Sequence, residues 1–515
     1  MNKRFVRLAM LAVVASILLS CLPVPAGAGL TPATDQPVSL VVTPALPTAT
    51  PVFLPIVTRP SNIFFVSPSG SDSSGKGTPE RPWATISHAL TAVPDEATIM
   101  VKPGTYIGQI DIRRQFISGV TIRSETPYQA RLRNLGSVVT CFFCRGVTIE
   151  GFDIAHSGPG AGRYVIQIQD VQDDGVGGSQ VTLRNNVLHD SYNNDILKIN
   201  NGAHDILLEG NMFYNQSGLD EHIDMTSAYN ITIRDNIFFN DFPGSGRPNL
   251  NDTAGFILIK DVDEAADGIL GAHHIQIQRN VFLNWSGNNG DGFITLGDNS
   301  PRTYYHAYDI LIENNLLLGN AANVIHAALK VVQGRDVVFR NNTVVGDLPA
   351  KSYAFRLTTG NLPNLNIQFY NNIWSDPTGT MGAEYPGDWN RFSRTESTSS
   401  FSLSNNLYWN GGQDIPTDSA EPINYTDDAR RIVADPRLPA DQQNLVIPRW
   451  QPENGRFADG SASIRQAFIL LVNSYGKPGA GSAARDMADP AHAPAEDIFG
   501  NTRLLPDIGA VEQLP

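Results

Sequence analysis

Two short stretches of this 515-residue chain crowd together the side chains that move protons and hold cations. The first carries Asn194, Asp195 and Lys198; the second carries Asp220, Glu221, His222 and Asp224. Carboxylates supply the hard oxygen ligands that Ca²⁺ takes. A lysine whose pKa is lowered by neighbouring cations serves as a general base, and an imidazole can hand over a proton. Asp195, Asp220 and Glu221 are therefore candidate Ca²⁺ ligands and Lys198 the candidate base. His222 is its candidate partner or proton donor, and Asp224 a group that orients the lysine or joins the Ca²⁺ site. Arg247, Lys260, Lys330 and Arg356 follow along the chain as candidate contacts for an anionic substrate. The plainer alternative is an inter-coil salt bridge between Lys198 and Asp224, worth little at a surface, with His222 a polar surface residue.

These residues sit on short alternating segments: YVIQIQDV (164–171), NDILKINN (194–201), DEHIDMTS (220–227), GFILIKDV (255–262), GFITLGDN (292–299), AALKVVQG (327–334) and YAFRLTTG (353–360). In a strand, alternate residues face opposite sides. If Leu197, Ile199, Ile223 and Met225 face inward, an outward column forms from Gln167, Lys198, Asp224, Leu258 or Lys260, Thr295, Lys330 and Arg356, with His222 on the same face as Asp224. Stacked at about 4.8 Å, such a column is a groove floor matched to a linear polymer. The stretches before these segments vary most in length, and Tyr192, Trp285, Tyr353 and Trp389 in or near them are candidates to stack on sugar rings.

What positions the column is a repeat. An alternating apolar run, an Asn and a small apolar cluster recur at 181–190, 206–215, 231–240, 275–284, 310–319, 337–346, 367–376 and 401–410. The aligned residues are Asn186, Asn211, Asn236, Asn280, Asn315, Asn342, Asn372 and Asn406, spaced by 25, 25, 44, 35, 27, 30 and 34 residues. The period-2 pattern with β-branched residues means strands. A unit this short buries its apolar face only by stacking on its neighbours, as one coil of a parallel β-solenoid. Asn tolerates left-handed backbone, and its amide can bond the backbone at a tight bend and the Asn of the next coil.

The repeat resembles the right-handed parallel β-helix of the pectate-lyase superfamily over roughly residues 62–415, which implies an all-β fold with a capped N-terminal end. The segment 65–106 looks like the entry of secreted β-helix proteins. In it Pro82 and Trp83 open a short helix with Trp83, Ile86, Leu90 and Val93 along one stripe, expected to cover the first coil. In that superfamily the catalytic groove lies on the strand face that the charges already single out. The resemblance thus implies β-elimination on a uronic-acid polymer, with a Ca²⁺ ion and a lysine base and without an organic cofactor. The polygalacturonase residue set and the Trp-Ile-Asp-His signature of one pectate-lyase group are absent, and Asp173-Asp174 stands without the other polygalacturonase elements. A glycoside hydrolase using two carboxylates such as Asp195 with Glu221 or Asp224, a C5-epimerase, and a non-catalytic carbohydrate-binding or surface β-helix remain alternatives.

The ends suggest export. Lys3, Arg4 and Arg7 precede the apolar run 8–19, a secretory signal read as residues 1–28. Ala26-Gly27-Ala28 is one cleavage site; Leu18-Leu19-Ser20-Cys21 resembles a lipobox that would lipidate Cys21. Residues 29–61 are a Pro/Thr-rich linker. The expected location is extracellular or cell-surface, with no membrane span beyond the signal. Residues 416–515 lose the repeat and end in DIFGNTRLLPDIGAVE, with Asp497, Gly500, Arg503, Asp507, Gly509 and Glu512 as the marked positions. This resembles a terminal motif common on secreted bacterial β-helix proteins, read here as a cap on the far end of the stack, with surface anchoring as the alternative. A net charge of −14 disfavours nucleic acid, so the expected partner is a polysaccharide met by a monomer. Cys141 and Cys144 form a structural disulfide or remain two idle thiols.

Overall fold

The alternating segments pair in register as the repeat demands. The computed structural model describes residues 62–513 apart from 171–177, 248–252, 262–267, 288–289, 291, 322–324, 347–352, 382–390, 440–441 and 443. The signal, Cys21, the linker, Asp173, Asp174 and Trp389 lie outside the described residues. Strands from successive coils build three parallel sheets of 12, 10 and 12 strands. One coil runs through Ser179–Arg184 in the first sheet, Val187–His189 in the third and Leu197–Asn200 in the second. The next coil repeats this with His204–Glu209, Met212–Tyr214 and Glu221–Thr226. This is a right-handed parallel β-helix. Among the described residues, no helix is long and apolar enough to cross a membrane.

The aligned asparagines form a continuous buried ladder between the first and third sheets. Asn280 is typical. Its Oδ1 accepts from both the Asn236 backbone N–H and Nδ2 at 3.0 Å, and its own Nδ2 donates to Ile233 O and Asn315 Oδ1. The ladder ends on Asp428, whose Oδ2 accepts from Asn406 N and Nδ2 at 2.9 Å. The left-handed bend falls one residue earlier than the ladder Asn. Asn185, Asp235, Arg279, Asn314, Asn341, Asn371 and Asn405 have φ between 48° and 61°, and Gly210 has φ 66°. Doublets such as Asn341-Asn342 thus divide the work: the first residue bends the chain and the second bonds the neighbouring coil.

The apolar cluster after each ladder Asn is buried on both faces. Phe213, Phe238 and Phe282 point inward and stack at 4.9 and 4.8 Å. Val187, Met212, Ile237, Val281, Leu316 and Ile373 point outward yet are fully buried. They are covered by the C-terminal segment, which brings Trp450, Phe457, Phe468, Leu471, Ile498 and Ile508 onto them. This corrects the expectation of an end cap. Only the stretch through Ile423 and Tyr425 closes the far end of the inner core, and Ile432–Val433 adds a last strand. The chain then packs along the outer face of the third sheet, because eight coils of outward apolar side chains need a partner there. The terminal motif locks that cover: Arg503 is buried, donating to Glu512 Oε2 at 2.9 Å and to Asn314 Oδ1 at 3.0 Å. Asn341 and Asn371 donate to Asp507 O and Asp489 O.

At the other end a helix, Ile86–Ala92, presents Ile86, Ala89 and Leu90 to the core. It starts later than expected. Thr85 is its N-cap, held by Asp72, while Trp83 bridges to Val66 ahead of the helix. Cys141, in a strand of the second sheet, is disulfide-bonded to Cys144 just after that strand, and both are buried.

Replacing Asn280 with Ala strips the partners from the Asn236 N–H and the Ile233 carbonyl inside the stack. We expect a loss of about 2–5 kcal/mol, read as a lower urea midpoint. Amide exchange should quicken in the two flanking coils before the rest; a midpoint equal to that of the parent would show that the ladder carries no stability.

Candidate active site

The second sheet places the expected column in register. Gln167 pairs with Lys198, Lys198 with Asp224, Asp224 with Leu258, Leu258 with Thr295, Thr295 with Lys330 and Lys330 with Arg356. The place after Asp224 is thus held by Leu258, and Lys260 lies one column over, opposite Thr226. A further column comes from the chain just before each strand: carrying the same registers back aligns Tyr164, Asp195, Glu221 and Gly255. The Glu221 N–H donates to Asp195 Oδ1 at 3.1 Å.

Three carboxylates converge. Oxygens of Asp195, Glu221 and Asp224 lie within 4.8 Å of one another, with Asp195 and Asp224 buried and Glu221 half-buried. Burial, then the neighbouring Asp224 charge, drives the Asp195 carboxyl well above its usual value. Burial and the Asp195 and Asp224 charges do the same to Glu221. Asp220 stands outside this trio but adds to the repulsion on both. The trio therefore differs from the expected set by exchanging Asp220 for Asp224. Three crowded oxygen donors short of positive charge fit a hard divalent cation such as Ca²⁺.

Two lysines meet the trio from opposite coils. Lys198 Nζ lies 2.6 Å from Asp224 Oδ2 and 3.1 Å from Thr226 Oγ1. Lys260 Nζ approaches the same Asp224 oxygen at 3.4 Å and is the more exposed of the two, at 19% against 13%. Burial pulls the Lys260 ammonium down, but the Asp224 and Glu221 charges outweigh it and hold it above its usual value.

His222 is not on this face. Backbone alternation breaks at His222, near the start of its strand, where the pairing with the next coil skips one residue, so both His222 and Ile223 turn inward and are fully buried. The His222 ring packs 4.9 Å from Phe256, its Nε2 bonds Asn240 Oδ1 at 3.0 Å, and burial lowers its pKa to about 3. A neutral core imidazole cannot partner the lysine as a proton donor. Arg247 is corrected as well. Its guanidinium is buried, donating to Asp190 Oδ1, Asn215 O, Ser191 O and Ser217 Oγ while stacking 3.9 Å over Tyr192. It ties together the two loops that lead to Asp195 and Glu221 instead of meeting substrate. Trp285 and Tyr353 are core residues, 1% exposed, and cannot stack on sugar. Lys330 and Arg356 fall about 14 and 19 Å along the column from Asp224; Lys330 is buried at 3% exposed, which removes it as a substrate contact, whereas Arg356 is half-buried and contacts His326 Nδ1 at 3.1 Å.

Sequence reasoning missed Tyr164. It stands beside Asp195 in register, and the charges of Lys198, Asp195, Asp224 and Asp220 reach its phenol, which burial holds above its usual value. Aligning YVIQIQ with NDILKI, residue for residue, carried that signal. Arg394, in register with Arg356, extends the cationic end of the same face.

No family model matches this chain, and no curated protein matches it. Among solved structures it resembles the pectate lyase Pel9A at 13% identity and a TM-score of 0.52, over 88% of this chain and 96% of that one. XylC in complex with xylose follows at 12% identity and a TM-score of 0.48, over 88% and 98%. An endo-xylogalacturonan hydrolase from Aspergillus tubingensis gives 12% and 0.43, over 72% and 98%. At these identities the likeness to Pel9A shows the fold alone.

The raised carboxyls set a pH dependence. Between an unfolded value of about 4 and their raised folded values, Asp195 and Glu221 bind more protons folded than unfolded, so stability falls as pH rises through that window. In chelator, thermal midpoints should drop from pH 5 to pH 8 more steeply for the parent than for Glu221→Gln, and Ca²⁺ should raise the parent more at pH 8. Equal slopes for the two proteins would dismiss the charge repulsion. Arg247→Ala removes one partner of a buried pair and should cost about 3–5 kcal/mol, with Arg247→Lys recovering little, since one ammonium cannot reach all four acceptors; denaturant melts measure both.

Proposed function

We propose that this chain is a secreted or surface-attached polysaccharide lyase that cleaves a uronic-acid polymer by β-elimination. The observation that carries the reading is the meeting of Lys198 and Lys260 on Asp224, one member of a trio of buried and half-buried carboxylates on the second sheet. Elimination removes the proton on C5, next to the sugar carboxylate, and breaks the bond from C4 to the bridging oxygen. The electron pair from the C–H bond becomes the C4–C5 double bond, and the leaving oxygen collects a proton.

Lys260 suits the base better than Lys198. Lys198 is held by two short contacts beneath the face, whereas Lys260 has one long contact and more exposure. Lys198 then anchors Asp224. A divalent cation bound by Asp195, Glu221 and Asp224 would neutralise the substrate carboxylate and lift the negative charge that keeps Lys260 protonated. Tyr164, which keeps its phenolic proton, is placed to return one to the leaving oxygen. Arg356, with Arg394 beside it, would hold acidic sugars farther along the same face.

One observation favours a second reading. Asp195 and Glu221 are both held above their usual values, and a carboxyl that stays protonated is what a glycoside hydrolase needs as its acid.

Incubation with uronate polymers, with Ca²⁺ and then with chelator, separates these readings through the ultraviolet absorbance of the new double bond. We expect a signal that chelation abolishes. Lys260→Ala should lower the rate about 10²–10⁴-fold while Ca²⁺ still raises its thermal midpoint. A full loss in Lys198→Ala with Lys260→Ala active would return the base to Lys198. New reducing ends without absorbance would support the hydrolase.

A further inference from the structure

The C-terminal segment carries a concavity of about 580 Å³ remote in sequence from the groove, lined by Arg465, Asn473, Lys477, Arg485, Phe499 and Gln513 among others. That volume lies within the range of small-ligand sites. Part of its polar lining consists of donors with little to donate to among the described residues. Lys477 has no hydrogen bond or ion pair among the described residues. Among the described residues, the Arg485 guanidinium reaches only Asp486, at 3.6 Å. The Gln513 Nε2 is buried and has no partner among the described residues. The one carboxylate in the lining, Glu512, is already committed to Arg503 at 2.9 Å and to the Asp507 amide at 3.0 Å. Arg465 spans Asp235 and Phe499 O at 3.3 Å each and fixes one wall.

Of the three cations around the hollow, Arg465 is engaged by Asp235 and Arg485 lies 3.6 Å from Asp486, so Lys477 is the charge left to meet an anion, with Arg485 beside it. Beside them stand amides and the apolar surfaces of Phe499 and Ile469. A simple anion uses only the charges. A sugar acid uses all three kinds of group: carboxylate against Lys477 and Arg485, hydroxyls against Asn473 and Gln513, and a C–H face against Phe499. We propose that this hollow is a second carbohydrate site that binds an acidic sugar unit. It gives the terminal motif, which supplies Phe499, Asn501 and Glu512 to the lining, a binding role alongside its structural one. Two sites on one rigid body raise hold on a polymer by effective concentration without further contacts. The inference does not rest on the groove's chemistry.

The test uses the full chain with Lys260→Ala, so that substrate is not consumed, and compares it with the same chain also carrying Lys477→Ala and Arg485→Ala. The probes are trigalacturonate, trimannuronate, a neutral glucose trimer and inorganic phosphate, titrated by calorimetry. We expect two acidic trimers bound per chain, and one after the added substitutions, with at least a tenfold weaker affinity at the lost site. If the groove does not bind, the first chain should take one trimer and the second none, which fails the groove reading and keeps this one. Equal stoichiometry and affinity in the two chains, or binding of neither acidic trimer, overturns the proposal. Equal binding of the neutral trimer at the lost site, or its full displacement by equimolar phosphate, also overturns the sugar-acid assignment.

Discussion

From Asn186 to Asn406, each coil is fixed to the next by the amide of a buried asparagine. Backbone pairing alone in a parallel sheet permits slippage, because each rung resembles the last. The ladder removes that freedom. Each Oδ1 takes two donors from the coil before it, so a slip of one residue would leave several buried polar groups without partners. Once register is fixed, a side chain's position along the strand decides its neighbours above and below. Lys198 then meets Asp224, and Asp195 meets Glu221, across 26 residues of sequence in each case.

The acidic trio is a place where local comfort gives way. Asp195, Glu221 and Asp224 repel one another in a poorly solvated setting, and the scaffold that holds them is over-determined. Arg247 is part of that scaffold: one guanidinium spans the loops that lead to two of the acids. Behind it, Arg449 from the C-terminal segment lies 3.1 Å from Asp241. Asp241 takes the Ser245 N–H on its backbone carbonyl, and its own N–H donates to Asn215. The cover on the third sheet therefore also buttresses the loop from which Arg247 reaches the site.

That cover answers a question the repeat poses. Strands whose alternate faces were core and solvent would alternate apolar with polar residues. The segments after the ladder Asn are mostly apolar because both faces are buried, one by the coil interior and one by residues beyond 434. The first Asn of the doublets is used twice, once for its left-handed bend and once as a docking point for the returning chain.

The sequence by itself determined the parallel stack, the ladder residue by residue, and the outward column from Gln167 to Arg356, because strand period and coil repeat are local properties written into spacing. It also brought Lys198, Asp224, Asp195 and Glu221 to one spot, since adding the coil length to a position gives its neighbour. Tertiary structure decided what periodicity cannot express. His222 entered the core because alternation breaks at its position, where the aligned coils carry the buried Val165, Ile196, Phe256 and Phe293, a column that strict period-2 alternation overlooks. Arg247 left the groove because long side chains choose partners in three dimensions, here four acceptors on two other coils. Lys260 joined the site diagonally, across a column, and the C-terminal segment took the flank because only the folded stack exposes a continuous apolar face for it to cover.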